Sequence, residues 1–179
     1  GGGNYSVTPS LLGFNFGPAT QTFNALGGNQ TANFAATRQS FVVTNANNHG
    51  AGSLRDAIVN ANATIGKDTI VFNIPGPGVK TISLLNALPD ITDPVVIDAT
   101  TQPGYAGAPL VEIDGLVFIN GSTSGLVIKA GGSTVRGLAI GNFRNNAGIL
   151  LTGCDNNVIQ GNYLAVDADG TTQGQNKPG

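Results

Sequence analysis

Apolar residues in this chain recur mostly at every second position, in short runs broken by Gly, Asn and Pro. Runs such as DTIVFNI, VKTISL, PVVIDA, LVEIDG, GLVIKA, STVRGLAI, GILLTG and NNVIQGNYLAV are rich in β-branched residues and predict short strands. Within PVVIDA, Val95 and Ile97 should face one way and Val96 and Asp98 the other. One stretch departs from this period. In GSLRDAIVNAN, Leu54, Ala57, Ile58 and Ala61 fall at i, i+3, i+4 and i+7, which predicts a helix near 53–63. Ser53, followed three residues on by Asp56, forms a capping-box pattern in which hydroxyl and carboxylate each satisfy a free N–H of the first turn.

The strands repeat. Val111, Val135 and Ile159 are 24 residues apart, and Glu112, Arg136 and Gln160 keep that interval. Gly137 matches Gly161, Ile140 matches Leu164, and Gly125–Ile128 matches Gly148–Leu151 at 23. Such a period predicts an all-β fold, a short parallel β-helix whose coils pair by parallel hydrogen bonding. Val111, Val135 and Ile159 should then share one internal column. Asn142, Asn145, Asn146, Asn156 and Asn157 are expected at corners, where Asn tolerates left-handed backbone and stacks in ladders. A solenoid's first coil exposes an open core. The helix stands just before the first coils, where it would cover that end, or else it packs along the side.

Residues 1–37 read differently. NYSVTPS, TQTFNAL and QTANFAAT predict strands separated by GFNFGP and GGN turns, with Phe14, Phe16, Phe23 and Phe34 as the apolar face. Three short strands are a poor independent sandwich. The organisation expected is therefore an incomplete β-sandwich-like arm at 1–37 and a β-helix with capping helix at 38–179.

On these residues the arm resembles the last half of a carboxypeptidase-regulatory-like (SdrD B-type) sandwich repeat. FVVTNANNHGAGSLRDAIVNANATIGKDTIVFNIPGPG, continued by LPDITDPVVIDATTQPGYAGAPLVEIDG and GGSTVRGLAI, resembles secreted bacterial right-handed parallel β-helix proteins of the CSLREA type. Here the box reads Gly52-Ser53-Leu54-Arg55-Asp56-Ala57, with Gly for the Cys and Asp for the Glu. The likeness covers about residues 39–170. It implies a β-helix in large exported proteins, many of them similar to adhesins or surface-layer components. Fold alone does not fix function.

Composition narrows the chemistry. Only 10% of the 179 residues are charged and the net charge is −2, so there is no basic footprint for nucleic acid. No apolar run approaches the ~20 residues that cross a bilayer. GGGNYSVTPS is neither a signal peptide nor a start, which suggests a mature or trimmed product. The single Cys154 makes no internal disulfide and reads as a small buried hydrophobe, with a cross-link between chains as the other use. One His and one Cys leave no zinc set.

β-Helices also carry lyases and glycosidases, which need converging carboxylates or a Lys or Arg base. Asp98, Glu112, Asp114, Lys129 and Arg136 are the candidates. Glu112 and Arg136, at equivalent positions, would make a substrate clamp or, as the simpler reading, a surface ion pair. Asp167–Gly170 (DADG) resembles a calcium loop but lacks the third acid and the Glu, and a Gly-terminated turn explains it. His49 stands alone. Sequons begin at Asn4, Asn29, Asn62 and Asn120, as chance allows in so Asn-rich a chain. Tyr105 and Tyr163 are the aromatics that could serve carbohydrate.

The expectation is a secreted or cell-surface, non-catalytic structural protein: a self-assembling fibre or matrix subunit or adhesin stalk. No catalytic, cofactor-binding or metal residue and no cofactor is assigned. The competing class is a carbohydrate-active enzyme. Half a sandwich at the front, and no helix or aromatic plug after Val166, leave two options. Either the chain is an excerpt of a longer protein, or other copies complete both ends, with the arm donating strands head to tail. Cell-surface polysaccharide is a further possible partner; nucleic acid and a membrane span are not expected.

Overall fold

The computed structural model describes residues 2–11, 13–116, 124–172 and 176. The chain forms two compact units, Gly1–Gln39 and Ser40–Gly179.

The first unit holds β1 (Tyr5–Val7), β2 (Phe14–Gly17), β3 (Gln21–Phe23) and β4 (Ala35–Arg38). β1 pairs antiparallel with β3, and β2 with β4, as two separate two-stranded sheets. GFNFGP, expected as a turn, is instead strand β2. Its Phe14 and Phe16 alternate onto one half-buried side, and the pairing with β4 outweighs the flanking glycines. The Arg38 guanidinium lies 4.9 Å from the centre of the Phe14 ring.

The second unit is a right-handed β-solenoid of about four coils with one helix. It comprises β5 (Ser40–Val43), α1 (Leu54–Asn62), β6 (Asp68–Phe72), β7 (Lys80–Ser83), β8 (Val95–Asp98), β9 (Val111–Asp114) and β10 (Leu126–Ile128). These are followed by β11 (Thr134–Arg136), β12 (Leu138–Gly141), β13 (Ile149–Leu151), β14 (Val158–Gln160) and β15 (Tyr163–Leu164). Three parallel sheets form its faces. The first stacks β5, β6, β8, β11 and β14; the second β7, β9, β12 and β15; the third Ile91, β10 and β13.

Period-2 alternation decides what each strand buries. On the first face Phe41, Ile70, Ile97, Val135 and Ile159 are register partners from coil to coil and make one inward column. The second face buries Ile82, Ile113 and Ile140 in the same way, with Leu164 next in line. The third continues Ile91, Ile128 and Leu151.

This register corrects the expected column. Val135 and Ile159 do stack, but Val111 lies on the second face between Lys80 and Leu138. The partner of Val135 is Ile97. The coils differ in length: Thr69 pairs with Val96, Val96 with Thr134 and Thr134 with Val158, so successive coils take 27, 38 and 24 residues. The 24-residue step from Val111 to Val135 is therefore a coincidence of a long second coil. The Gly125–Ile128 match to Gly148–Leu151 and the Ile140 match to Leu164 are true register partners.

Two runs read as single strands are each two strands around a glycine corner. STVRGLAI turns at Gly137 and NNVIQGNYLAV at Gly161, with φ +75° and +61°. At Gly137 a Cβ would come within 2.8 Å of Thr100 Cγ2 and 2.9 Å of Thr100 N, so only glycine fits.

Polar side chains complete the ladders where the corners interrupt them. Asn162 Oδ1 accepts from Leu138 N and its Nδ2 donates to Val135 O. Gln102 exchanges both bonds with the backbone of Ile74. Ser133 Oγ accepts from Val95 N, and Asn157 Oδ1 accepts from Ser133 N, a stack across three coils. Asn142 and Asn156 take the left-handed backbone expected of corner asparagines.

Helix α1 starts as its sequence dictates. Ser53 Oγ accepts from Asp56 N, and Leu54, Ala57, Ile58 and Ala61 are buried. The reciprocal half of the capping box is absent, because Ser53 N donates instead to Gly50 O. Gly52, where the CSLREA box has Cys, has φ +75°, and a Cβ there would sit 2.2 Å from Thr44 Oγ1. The helix occupies the interval between β5 and β6, and its apolar stripe joins the same core as Val43, Ile70 and Phe72. It thus covers the first end of the stack.

Arg55 and Asn62 pin it there. The Arg55 guanidinium donates to the carbonyls of Asn48, Asn86 and Ala87 and to Asn86 Oδ1, at 2.9, 2.9, 2.5 and 2.6 Å. Asn62 Nδ2 donates to Asp90 O, and its Oδ1 accepts from Thr92 N.

The other end is different. Ile140 is 0% exposed, but its partner one coil on, Leu164, is 44% exposed. Ile128 is 0% exposed and its partner Leu151 is 44% exposed. β13, β14 and β15 are the last strands of their sheets among the described residues, so each presents one unpaired backbone edge.

Candidate functional site

The residues singled out from the sequence do not converge on one cleft. They fall into three places on the solenoid, plus isolated positions.

The first is the corner between faces one and two. Arg136 Nη2 lies 2.5 Å from Asp98 Oδ2. Asp98 is buried although it faces outward, because Arg136 and the tight turn at Ala99–Thr101 cover it. Its Oδ1 accepts from Thr100 N and Thr100 Oγ1. Burial alone would raise the Asp98 pKa, but the hydrogen bonds from Arg136 and Thr100 outweigh it and hold the carboxyl below its ordinary value. The expected Glu112–Arg136 clamp does not form. Glu112 registers with Thr81 and Ala139, while Arg136 registers with Asp98 and Gln160. Equal spacing aligns Glu112 with Arg136 as it aligns Val111 with Val135, and the long second coil puts both pairs out of register.

The second place is the outer side of face two. Glu112 Oε2 accepts from Thr81 Oγ1 at 3.1 Å. Asp167, from the loop that follows β15, and Asp114 lie close enough to Glu112 for their charges to act on it. The Glu112 pKa is raised: burial is the main cause, and the Asp167 and Asp114 charges add to it against the bond from Thr81. This meeting was not legible beforehand. Glu112 and Asp167 are 55 residues apart, and Ala165 reverses the chain between them with φ +62°.

The third place is the Lys129–Asp90 ion pair, 2.5 Å long and half-exposed on both sides, which is remote from the others in register. Exposed pairs of this kind contribute about 0–1 kcal/mol.

The remaining positions have local roles. Asp167–Gly170 is a turn closed by Gly170 N to Asp167 O. Asp169 holds Thr171 N, Thr172 N and Thr172 Oγ1, and the bonds from Thr172 bring its pKa down to about 2. No group of three or more His, Cys, Asp or Glu that could hold a metal occurs among the described residues. His49 is exposed. Cys154 is half-buried rather than buried, packs against the core, and its Sγ donates to Ile128 O and accepts from Asn157 Nδ2. The Asn4 and Asn62 side chains are engaged in hydrogen bonds, Asn29 is exposed, and Asn120 lies outside the described residues.

The two carboxyl environments set opposite pH dependences. Glu112 binds its proton more tightly folded than unfolded, so its stabilisation is present below the ordinary value of 4.5 and is lost as pH rises through the raised pKa. Asp98 stabilises above its ordinary 3.8, and that contribution is lost as pH falls through its lowered value. Thermal melts across pH should show Tm falling above pH 4.5 until Glu112 has ionised, and falling again with acid below 3.8. Glu112→Gln should flatten the upper slope alone. An unchanged upper slope in that variant would contradict the assignment.

No helix among the described residues is long and apolar enough to cross a membrane. No protein-family model matches this chain, and no curated protein matches it.

Proposed function

We propose that this chain is a non-catalytic extracellular structural protein, a fibre or matrix subunit or adhesin stalk, whose copies associate head to tail. The observation that carries this reading is the exposure of Leu151 and Leu164 on the last described coil, beside three strand edges that have no partner strand among the described residues. A partner that offers strand edges and apolar surface together would relieve both.

The occupant assigned is the first unit of a second copy. That unit has two short two-stranded sheets whose outer edges pair with no further strand among the described residues, and it exposes Tyr5 and Leu11 by 56% and 57%. It also carries a groove of about 350 Å³ lined in part by Tyr5, Val7, Phe23 and Leu26. Donor and acceptor surfaces lie on different units, so the contact is heterologous, and it generates a linear polymer where the rotation between copies does not close a ring. The extracellular setting is supported by the resemblance to secreted β-helix proteins.

A carbohydrate-active enzyme is the competing reading, and Glu112 against Asp167 is the observation on its side. Glycosidase carboxyls stand about 5–5.5 or 6.5–9.5 Å apart, with the bond to be cleaved between them. Here Glu112 Oε2 is already taken by Thr81 Oγ1 and Asp167 Oδ1 is buried, which favours the structural reading.

Sedimentation velocity over a concentration series, with electron microscopy of the same samples, tests association. Mass should grow with concentration and threads of uniform width should appear. Leu164→Glu should suppress growth while leaving the melting transition intact, because the side chain is already half-exposed. Single copies at every concentration, or unaltered growth in the folded variant, would overturn the proposal.

A further inference from the structure

We propose that the groove at the corner between the first and second faces, walled by Tyr105 and Arg136, binds a neutral oligosaccharide. The groove holds about 390 Å³ and is lined by Thr100, Tyr105, Arg136, Gly137, Gln160 and Gly161. That volume lies within the roughly 300–1,000 Å³ typical of small-ligand sites.

Three features select the ligand. The first is the floor. Gly137 and Gly161 follow the register partners Arg136 and Gln160, so two bare backbones lie one above the other. A Cβ at Gly161 would meet nothing within 4 Å, so the space over it is open to an incoming ring. The second is the wall. Tyr105 is half-buried, its N–H bonds to Gln102 O, and its hydroxyl reaches Gly107 O at 3.4 Å. Its ring offers an apolar face with a polar tip, which matches a sugar's C–H face bordered by hydroxyls.

The third is the polar set. Asp98 both neutralises Arg136 and fixes its guanidinium. The Arg136 side chain is 41% exposed, and a sugar hydroxyl or ring oxygen would accept from the guanidinium N–H groups that Asp98 does not take. Gln160, about 4.8 Å further along the stack, adds an amide donor and acceptor. Because the Arg136–Asp98 pair carries no net charge, a carboxylated sugar gains little from it, and the unmet need is for a neutral oxygen. The site lies on the outer flank and does not depend on the head-to-tail association proposed above.

The test is saturation-transfer NMR on the full chain with cellobiose, maltose, lactose and digalacturonate as probes. The chain has only three tyrosines, so the Tyr105 ring resonances can be assigned by substitution. At least one neutral disaccharide should receive saturation and shift the Tyr105 signals. Tyr105→Ala and Gln160→Ala should each weaken that binding about tenfold, near 1.4 kcal/mol, with Tm unchanged. Absence of transfer to every probe, digalacturonate binding as well as or better than the neutral sugars, or full binding by the folded Tyr105→Ala variant would overturn the proposal.

Discussion

Ile97→Ala is expected to lower the free energy of unfolding by about 2–5 kcal/mol, read as a drop in urea midpoint at constant slope. Ile97 is fully buried, with Ile70 on one side in the column and Val135 on the other. The lost apolar transfer is part of the cost. The larger part comes from the void, because hydrogen bonds fix neighbouring strands about 4.8 Å apart and the stack cannot collapse inward. Ile159→Ala removes the same atoms from the same column. It is only partly buried, at the open end of the stack, and should cost less than half as much. Equal losses at the two positions would contradict the gradient of burial along the stack.

Arg55→Ala should destabilise the second unit by on the order of 3 kcal/mol, since hydrogen bonds to charged groups contribute about 1.5–3 kcal/mol each and do not simply add. Arg55 joins α1 to the turn after β7 through the carbonyls of Asn86 and Ala87, and to the approach of the helix through Asn48 O. Removing it leaves these acceptors without the donor that serves them. Hydrogen exchange should quicken first in α1 and β5, whose shared core with β6 the helix covers, and last in β8 and β11. Arg55→Lys should recover only part of the loss, because a single ammonium cannot span carbonyls that a planar fork reaches together. If α1 exchanges at its original rate in Arg55→Ala, its anchoring lies elsewhere.

What the sequence disclosed follows from which interactions are local. The helix was readable to within a residue at each end, because its cap and its stripe lie within ten residues of one another. The alternation of Val95 and Ile97 against Val96 was equally local. Register was only half readable. The third and fourth coils are joined by short corners and keep a constant spacing, so Val135 with Ile159 and Ile140 with Leu164 could be matched. The second coil carries a long excursion between Asp98 and Val111, and there spacing placed Val111 on the wrong face. The same error created the Glu112–Arg136 pair and hid Asp98–Arg136. Glu112 with Asp167 depends on a chain reversal that no periodicity encodes. In the first unit, glycines on both sides of FNF looked like a turn, and only pairing with β4 makes it a strand.

The unequal coils have a wider consequence. Thr101 and Gln102 are committed to the backbone of Phe72 and Ile74, but residues 103–108 leave the stack before Leu110 O accepts from Lys80 N and β9 continues in register. Segments that bulge from a rigid ladder can be lengthened, shortened or exchanged without disturbing what lies beneath, since loop closure penalties grow only slowly with length. This flank is therefore an insertion-tolerant position. Foreign peptides grafted between Ala106 and Ala108 should be displayed without loss of the scaffold, and lineages carrying this architecture would be free to diversify at that tip while conserving the rod.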